Sequence, residues 1–206
     1  MPPVTYDVVR ARVERLAATL DRPPVVGVSG HGGAGKSTLA ARLVGDLGGR
    51  PDQVVGTDRF YAVGAGPGSG LLDLHDWPRL LELLRRVRAT PTPARLGYPV
   101  RTYEGAERVV DVAMPPVVVL EGIRLFRPET RPLLDLAVWI DLSPEVAGRR
   151  AVERNRGQGD DDAELDLWRT KWVPEGWAYE RAVRPRLLAD VVVPAEEVGA
   201  SDSAGR

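Results

Sequence analysis

The sequence predicts an α/β fold in which helices cover both faces of a mainly parallel sheet. Short apolar runs rich in valine, which are typical of buried strands, alternate along the chain with amphipathic stretches of helical spacing. Such alternation favours a parallel sheet, because parallel neighbours need a crossover helix between them. A glycine-rich segment joins the first strand to the helix that follows it. With 206 residues, the chain is long enough for one sizeable core.

The glycine-rich segment, residues 30–38 (GHGGAGKST), matches the phosphate-binding P-loop pattern G-x-x-x-x-G-K-[ST]. It follows the apolar run 25–29 and opens the helical stretch 37–47, which is the context that its mechanism requires. Glycines let successive N–H groups point at phosphate oxygens, and the helix N-terminus adds a partial positive charge. We therefore expect a P-loop NTPase fold that binds a nucleoside triphosphate. The expected ATP-binding residues are Gly30, Gly32, Gly33, Ala34, Gly35, Lys36, Ser37 and Thr38.

Four residues are candidates for the chemistry of phosphoryl transfer. Lys36 is expected to reach the β- and γ-phosphates, and the Ser37 hydroxyl is expected to ligate Mg²⁺. Asp58 follows an apolar run, where it can accept the proton of an acceptor hydroxyl or cap the next turn. Glu121 also ends an apolar run, where P-loop proteins carry a metal-coordinating carboxylate. The sequence thus predicts Mg²⁺ as the cofactor, held by Ser37 and Glu121.

Four arginines near the end of a predicted helix form a further candidate group: Arg149, Arg150, Arg154 and Arg156. Arginine forks suit phosphate oxygens, although a solvated helix face explains such a run equally well. The polar segment NRGQGDDD at 155–162 predicts a loop, and a lid is expected over about residues 155–165.

Aromatic residues supply candidates for acceptor binding. Tyr61, Tyr98 and Tyr103 could stack on a planar acceptor such as a nucleobase, or belong to the core or its rim. The tryptophans at 168, 172 and 177 are expected to pack the C-terminal helices, and both histidines are expected to be structural. Residues 62–70 (AVGAGPGSG) predict a flexible surface loop or a mobile flap over the acceptor.

Charge and composition favour small-molecule partners over nucleic acid or membranes. The 28 basic and 29 acidic side chains nearly cancel, so the chain has no general attraction for polyanions. It has no cysteine, and its longest apolar runs are too short to cross a bilayer. We therefore expect a cytoplasmic protein, and a homo-oligomer is left open. Residues 1–194 are predicted to form a single domain, followed by a disordered tail at 195–206.

The motifs, in this order, resemble the uridine kinase branch of the uridine kinase and phosphoribulokinase family. The segments that carry the resemblance are GVSGHGGAGKST, TDRFY, HDWPRL, VVVLEGIRLF, WIDLSPEVAGRRAVERNRG and LADVVVP, which together span residues 25–194. The resemblance implies that Asp58 is the general base for a sugar 5′-hydroxyl and that Tyr61 lines the same pocket. It implies that Asp76 holds the ribose hydroxyls and Tyr98 faces the nucleobase. Tyr103 stands where uridine kinases present a histidine to the base.

On the phosphate side, the resemblance implies that Glu121 is the second Mg²⁺-site carboxylate and that Arg150 and Arg154 belong to a lid closing on the phosphates. The lid lacks the usual R-x-x-R-G-R ending. The expected activity is ATP-dependent phosphorylation of the 5′-hydroxyl of uridine or cytidine. Two alternatives stay open: a P-loop kinase of another small alcohol, such as pantothenate, ribosylnicotinamide or a sugar phosphate, and a nucleotide-hydrolysing regulatory protein.

Overall fold

A five-stranded parallel sheet forms the centre of the computed structural model, which describes residues 4–66, 68–89 and 92–198. Within these residues the strands are β1 (Val25–Ser29), β2 (Val55–Gly56), β3 (Arg95–Arg101), β4 (Glu107–Ala113), β5 (Val118–Gly122), β6 (Leu136–Asp141) and β7 (Val191–Pro194). The sheet has the order β2-β5-β1-β6-β7, and all its neighbouring strands run parallel. Strands β3 and β4 form a separate antiparallel hairpin. The predicted parallel sheet is confirmed.

The helices pack on both faces of the sheet. They are α1 (Tyr6–Thr19), α2 (Lys36–Asp46), α3 (Trp77–Val87), α4 (Pro144–Gln158), α5 (Asp162–Leu167), α6 (Val173–Val183) and α7 (Pro185–Leu188). Helices α1 and α2 share one apolar layer with Val26 and Val28, whereas α3, α6 and the hairpin share the other with Val25. Successive residues of a strand point to opposite faces, which divides the core in this way. None of the described helices is long and apolar enough to span a membrane.

The segment predicted to be a loop at 155–162 is mostly helical, so that expectation was wrong. Helix α4 continues to Gln158 and ends at Gly159, whose φ of 98° is the left-handed conformation that favours glycine after a helix. Asp161 then caps α5 in a capping box with Glu164. The side-chain amide of Asn155 donates to the Asp160 carboxylate at 2.6 Å, which ties the last turn of α4 to the link that follows it. The predicted lid is therefore two helices joined by a short link.

The start of the predicted disordered tail is also structured. Ala195–Val198 form a 3₁₀ turn directly after β7. Ala195 and Val198 are buried in the layer that contains α2, so these two apolar side chains hold the turn against the core. A Cβ at Gly35 would lie 3.1 Å from Val198, so the turn reaches the P-loop. The rest of the predicted tail, 199–206, lies outside the described residues.

Candidate active site

The P-loop forms a tight backbone cradle between β1 and α2. Gly33 and Gly35 have φ values of 91° and 99°, a conformation that residues with side chains rarely adopt. A Cβ at Gly33 would overlap the carbonyl oxygen of Ala147 on α4, so glycine is required there for space as well. All the predicted ATP-binding residues lie on this one loop and the first turn of α2. The cradle is therefore built as the motif predicts.

Lys36 is buried at the start of α2, where its Nζ donates to the backbone oxygen of His31 at 2.9 Å. Burial lowers the pKa of Lys36, while the carboxylate of Glu121 opposes that change. The positive charge of Arg154 also acts to lower this pKa. A triphosphate in the cradle would stabilise the charged amine.

A carboxylate pair and a hydroxyl line a cavity of about 300 Å³ beside the P-loop, made by Ser37, Asp58 and Glu121 among others. The Ser37 hydroxyl donates to Glu121 Oε1 at 3.3 Å. Gly56, at the end of β2, lets the carboxylates approach, because a Cβ there would overlap Asp58 Oδ1 and lie 3.5 Å from Glu121 Oε1. Burial raises the pKa of Glu121, and the charge of Lys36 partly reverses this. The strand-end positions of both acids thus bring them together.

The hydroxyl of Ser37 and the carboxylate of Glu121 fit Mg²⁺, a hard cation that prefers oxygen ligands. Among the residues that the structure describes, no group of three or more His, Cys, Asp and Glu side chains could hold a metal ion. At kinase sites Mg²⁺ is usually held by one or two protein ligands together with substrate phosphates and water.

The predicted lid arginines lie on the exposed surface of α4. Arg154 donates twice to Asn155 Oδ1, at 2.8 and 3.0 Å, and it is the arginine whose charge is felt at Lys36. Arg150 lies one turn earlier and is exposed. Arg149 and Arg156 instead line a groove between α4 and Trp168. The helix therefore separates the four arginines into two pairs.

An apolar cavity of about 190 Å³ lies between the P-loop and the C-terminal helices. Tyr61 and Tyr103 form part of its wall, with ring centroids 5.2 Å apart in an edge contact. The Tyr61 ring also stacks on His75, with ring centroids 5.5 Å apart. Burial raises the pKa of Tyr61 to about 12, so its hydroxyl stays protonated. The structure thus brings together two of the three tyrosines predicted to bind an acceptor.

Tyr98 does not line this cavity, and its contact with a nucleobase stays a prediction. Leu96, Tyr98 and Val100 are the alternate residues of β3 that turn toward the core. The Tyr98 ring is 2% exposed and stacks on Phe60 at 5.6 Å, with an interplanar angle of 11°. Its place in the hairpin therefore makes it a core residue.

Asp76 is the N-cap of α3. Its Oδ1 accepts from the backbone N–H of Arg79 at 3.1 Å, and its Oδ2 pairs with the Arg79 guanidinium at 3.4 Å. Its own N–H donates to Phe60 at 2.6 Å, which ties the start of α3 to the turn that carries Asp58. Contact with ribose hydroxyls stays a prediction.

Two tryptophans that line the apolar cavity were missed by sequence reasoning. Trp168 and Trp172 are the first and last residues of the π-helical segment between α5 and α6. Both line the cavity, so they do more than pack the C-terminal helices. The Trp168 ring covers the P-loop so closely that a Cβ at Gly32 would lie 2.6 Å from it. The four-residue spacing does put both rings near one helical face, but only the fold shows what that face meets.

Arg124, which sequence reasoning also missed, and His31 line the same cavity. Arg124 is 5% exposed, lines the cavity and has a φ of 57°. His31 Nε2 lies 2.8 Å from Glu180 Oε1 on α6, and its ring meets Trp139 edge-on at 5.4 Å. Burial lowers the pKa of His31, which favours the neutral ring. His31 therefore acts as a structural link between the P-loop and α6, as expected of a non-catalytic residue.

Comparison with known proteins finds relatives that are uridine kinases. A uridine kinase of Limosilactobacillus reuteri (strain DSM 20016) is 26% identical over 190 residues, which cover 84% of each chain. A uridine kinase of Lactobacillus helveticus (strain DPC 4571) is 24% identical over 203 residues, covering 92% of this chain and 93% of the relative. The chain is uridine kinase-like in sequence. The predicted resemblance to uridine kinases is thus confirmed, although no family model matches the chain.

Solved structures show the same fold. A candidate fructose transport system kinase from Silicibacter sp. TM1040 superposes with a TM-score of 0.74 at 22% identity, covering 93% of this chain and all of the other. A possible uridine kinase from Bacillus stearothermophilus has a TM-score of 0.57 at 21% identity, covering 90% of this chain and 98% of the other. The predicted α/β P-loop NTPase fold is confirmed.

Proposed function

We propose that this chain transfers the γ-phosphoryl group of ATP to the 5′-hydroxyl of a pyrimidine nucleoside, uridine or cytidine. The observation that carries the proposal is the position of Asp58, beside Ser37 and Glu121 on the phosphate side and near Tyr61 on the acceptor side. The sequence similarity to uridine kinases supports the same substrate class. The site thus has a base, a metal-binding pair and a separate acceptor cavity.

The reaction follows from these positions. Asp58 accepts the proton of the acceptor hydroxyl as its oxygen forms a bond to the γ-phosphorus, and the bond from that phosphorus to ADP breaks. Lys36 and the P-loop N–H groups hold the phosphates in line, and Arg154 neutralises charge on the transferring group. Ser37 and Glu121 would hold Mg²⁺, which would supply positive charge to the phosphates. Trp168 and Trp172 limit the access of water, which would otherwise compete with the alcohol.

A kinase of another small alcohol is the second candidate. The fold is shared with a candidate fructose transport system kinase, and Tyr98 is absent from the cavity wall. A nucleotide-hydrolysing regulator is less well supported, because the aromatic cavity beside Asp58 would then have no occupant. We also propose that the partners are ATP and a small acceptor, and that the protein acts in the cytoplasm.

The proposal is tested by ATP consumption with Mg²⁺ and a panel of acceptors: uridine, cytidine, adenosine, ribosylnicotinamide, pantothenate, fructose and none. We expect a 5′-monophosphate from uridine or cytidine. Asp58→Asn should lower kcat by about 10²-fold or more while ATP binding persists. Asp111→Asn, which changes an exposed acid in the hairpin, is the matched control and should leave the rate unchanged.

Three outcomes would contradict the proposal. If only fructose or pantothenate is phosphorylated, the chain is a kinase but its substrate is not a pyrimidine nucleoside. Phosphate release without any acceptor would favour the regulatory protein. An Asp58→Asn variant as active as the Asp111→Asn control would remove Asp58 from the chemistry.

A further inference from the structure

Arg124 is a buried cation on the wall of the acceptor cavity. It follows the carboxyl end of β5 by two residues and is 5% exposed. Its φ of 57° lies in the left-handed region, which is uncommon for a residue with a side chain. Such conformations persist where the surroundings fix them, and they cluster at binding sites. The backbone therefore holds this arginine in an unfavourable geometry that aims it at the cavity.

The guanidinium of Arg124 is fixed from two sides. Its Nη1 donates to the backbone oxygen of Leu71 at 2.6 Å, and its Nη2 donates to the carboxylate of Glu175 on α6. The ring of Trp172 lies 5.9 Å from the guanidinium carbon. A guanidinium has five N–H groups, so these two bonds leave three for another acceptor atom. The group is pre-oriented and still able to bind.

The charges around Arg124 do not cancel. Glu175 also pairs with Lys171 at 2.9 Å, and the Lys171 amine donates to the backbone oxygen of Ser69 at 3.0 Å. Two cations and one carboxylate therefore leave one net positive charge in this cluster. The His75 ring, which stacks on Tyr61, adds no charge near neutral pH because burial lowers the pKa of His75 to about 4. The cavity lining is otherwise mainly aromatic and aliphatic.

We propose that Arg124 determines acceptor specificity by donating a hydrogen bond to a carbonyl oxygen of the acceptor's flat ring. The inference rests on the proposed function and narrows its substrate class. Uracil and cytosine both carry a ring carbonyl beside the ribose, so one donor serves either base. The cluster's positive charge disfavours a cationic ring such as that of ribosylnicotinamide. Glu175 is a positioning residue that holds the guanidinium toward the ring.

The test compares kcat and KM of the full chain for uridine at saturating ATP and Mg²⁺. Arg124→Met should lower kcat/KM for uridine about 30-fold, mainly through KM, while the KM for ATP stays unchanged. Its preference for ribosylnicotinamide relative to uridine should rise at least about tenfold. Arg127→Met is the matched control, because Arg127 lies over Trp77 outside the acceptor cavity. It should match the parent protein within about threefold.

Glu175→Gln separates positioning from charge. This variant keeps Arg124 and raises the local positive charge, but it removes the carboxylate that fixes the guanidinium. We expect a higher KM for uridine, an unchanged KM for ATP and partial recovery in Glu175→Asp. A purely structural role would instead change both KM values or the yield of folded protein.

A measurement on the parent protein covers the case in which Arg124→Met fails to fold. Ribosylbenzene is a neutral nucleoside analogue whose flat ring has no carbonyl, and it should lose about 30-fold in kcat/KM against uridine. If uridine and cytidine are not phosphorylated at all, the proposed function fails, and this inference fails with it. If uridine is a substrate but ribosylbenzene is used equally well, or Arg124→Met keeps its uridine KM, only the role of Arg124 is overturned.

Discussion

Replacing His75 with phenylalanine removes a buried ring whose protonation opposes folding. His75 is 5% exposed, and its Nδ1 has no hydrogen-bond partner within the described part of the chain. Burial, together with the charge of Arg124, lowers the pKa of His75 from 6.5 to about 4. A pKa that is lower in the folded state gives stability that is fully present above pH 6.5 and is lost progressively as the pH falls from 6.5 through about 4.

The size of the effect follows from these two pKa values. At pH 5 the ring is mostly protonated in the unfolded chain and mostly neutral in the folded chain. The free energy of unfolding should therefore be about 2 kcal/mol lower at pH 5 than at pH 7.5 from this group alone. Protonation of the folded protein near pH 3 would complete a loss of about 3 kcal/mol.

Urea denaturation of the parent protein and His75→Phe, at intervals from pH 5 to 7.5, measures this term. Phenylalanine keeps the stacking on Tyr61, so a constant difference from packing is expected at all pH values. In addition to that constant difference, the free energy of unfolding of the variant should rise by about 2 kcal/mol relative to that of the parent protein between pH 7.5 and pH 5. His31, the other histidine, titrates in both proteins and cancels. A difference that stays flat across this range would refute the reasoning.

Two further predictions concern stability and the metal site. Asp135→Ala should cost about 3–5 kcal/mol in urea denaturation, because it strands Arg22 and Arg88, whose guanidinium groups bind its two carboxylate oxygens; a loss below about 1 kcal/mol would count against this. Glu121→Gln should stabilise the nucleotide-free protein at pH 8 and reduce its Mg²⁺-dependent activity. Burial raises the pKa of Glu121, so stability present below its ordinary pKa is lost as the pH rises through the folded value. Thermal melts at pH 8 that favour the parent protein would show that no such cost exists.

The sheet and the P-loop could be predicted from the sequence because each rests on local pattern. Strand β6 (Leu136–Asp141) coincides with its apolar run, and the glycines of residues 30–35 permit the positive φ angles that the P-loop adopts. The positions of Asp58 and Glu121 follow from the rule that parallel strands end at one edge of the sheet. Local information was sufficient for this half of the site.

The acceptor side depends on contacts between distant segments, which local pattern does not contain. Arg124 owes its orientation to Glu175, 51 residues later in the chain. Trp168 faces the cavity only because α4 and α5 bring it over Gly32. Tyr98 is different, since it alternates along β3 with Leu96 and Val100, which also turn toward the core. Its assignment to a nucleobase came from family resemblance and not from the strand pattern.

The P-loop is held in place by chain that is made much later. Its motif is complete at residue 38, but the side chains that flank it are Trp168 at Gly32, Glu180 at His31 and Val198 at Gly35. At ribosomal speed, these segments appear on the order of ten seconds after the motif. Until then a nascent chain contains the P-loop glycines but not the side chains that pack against the loop, so we expect it to bind ATP only weakly. Firm nucleotide binding would then require synthesis to pass residue 198, and ATP could protect from proteolysis only the copies that have reached it.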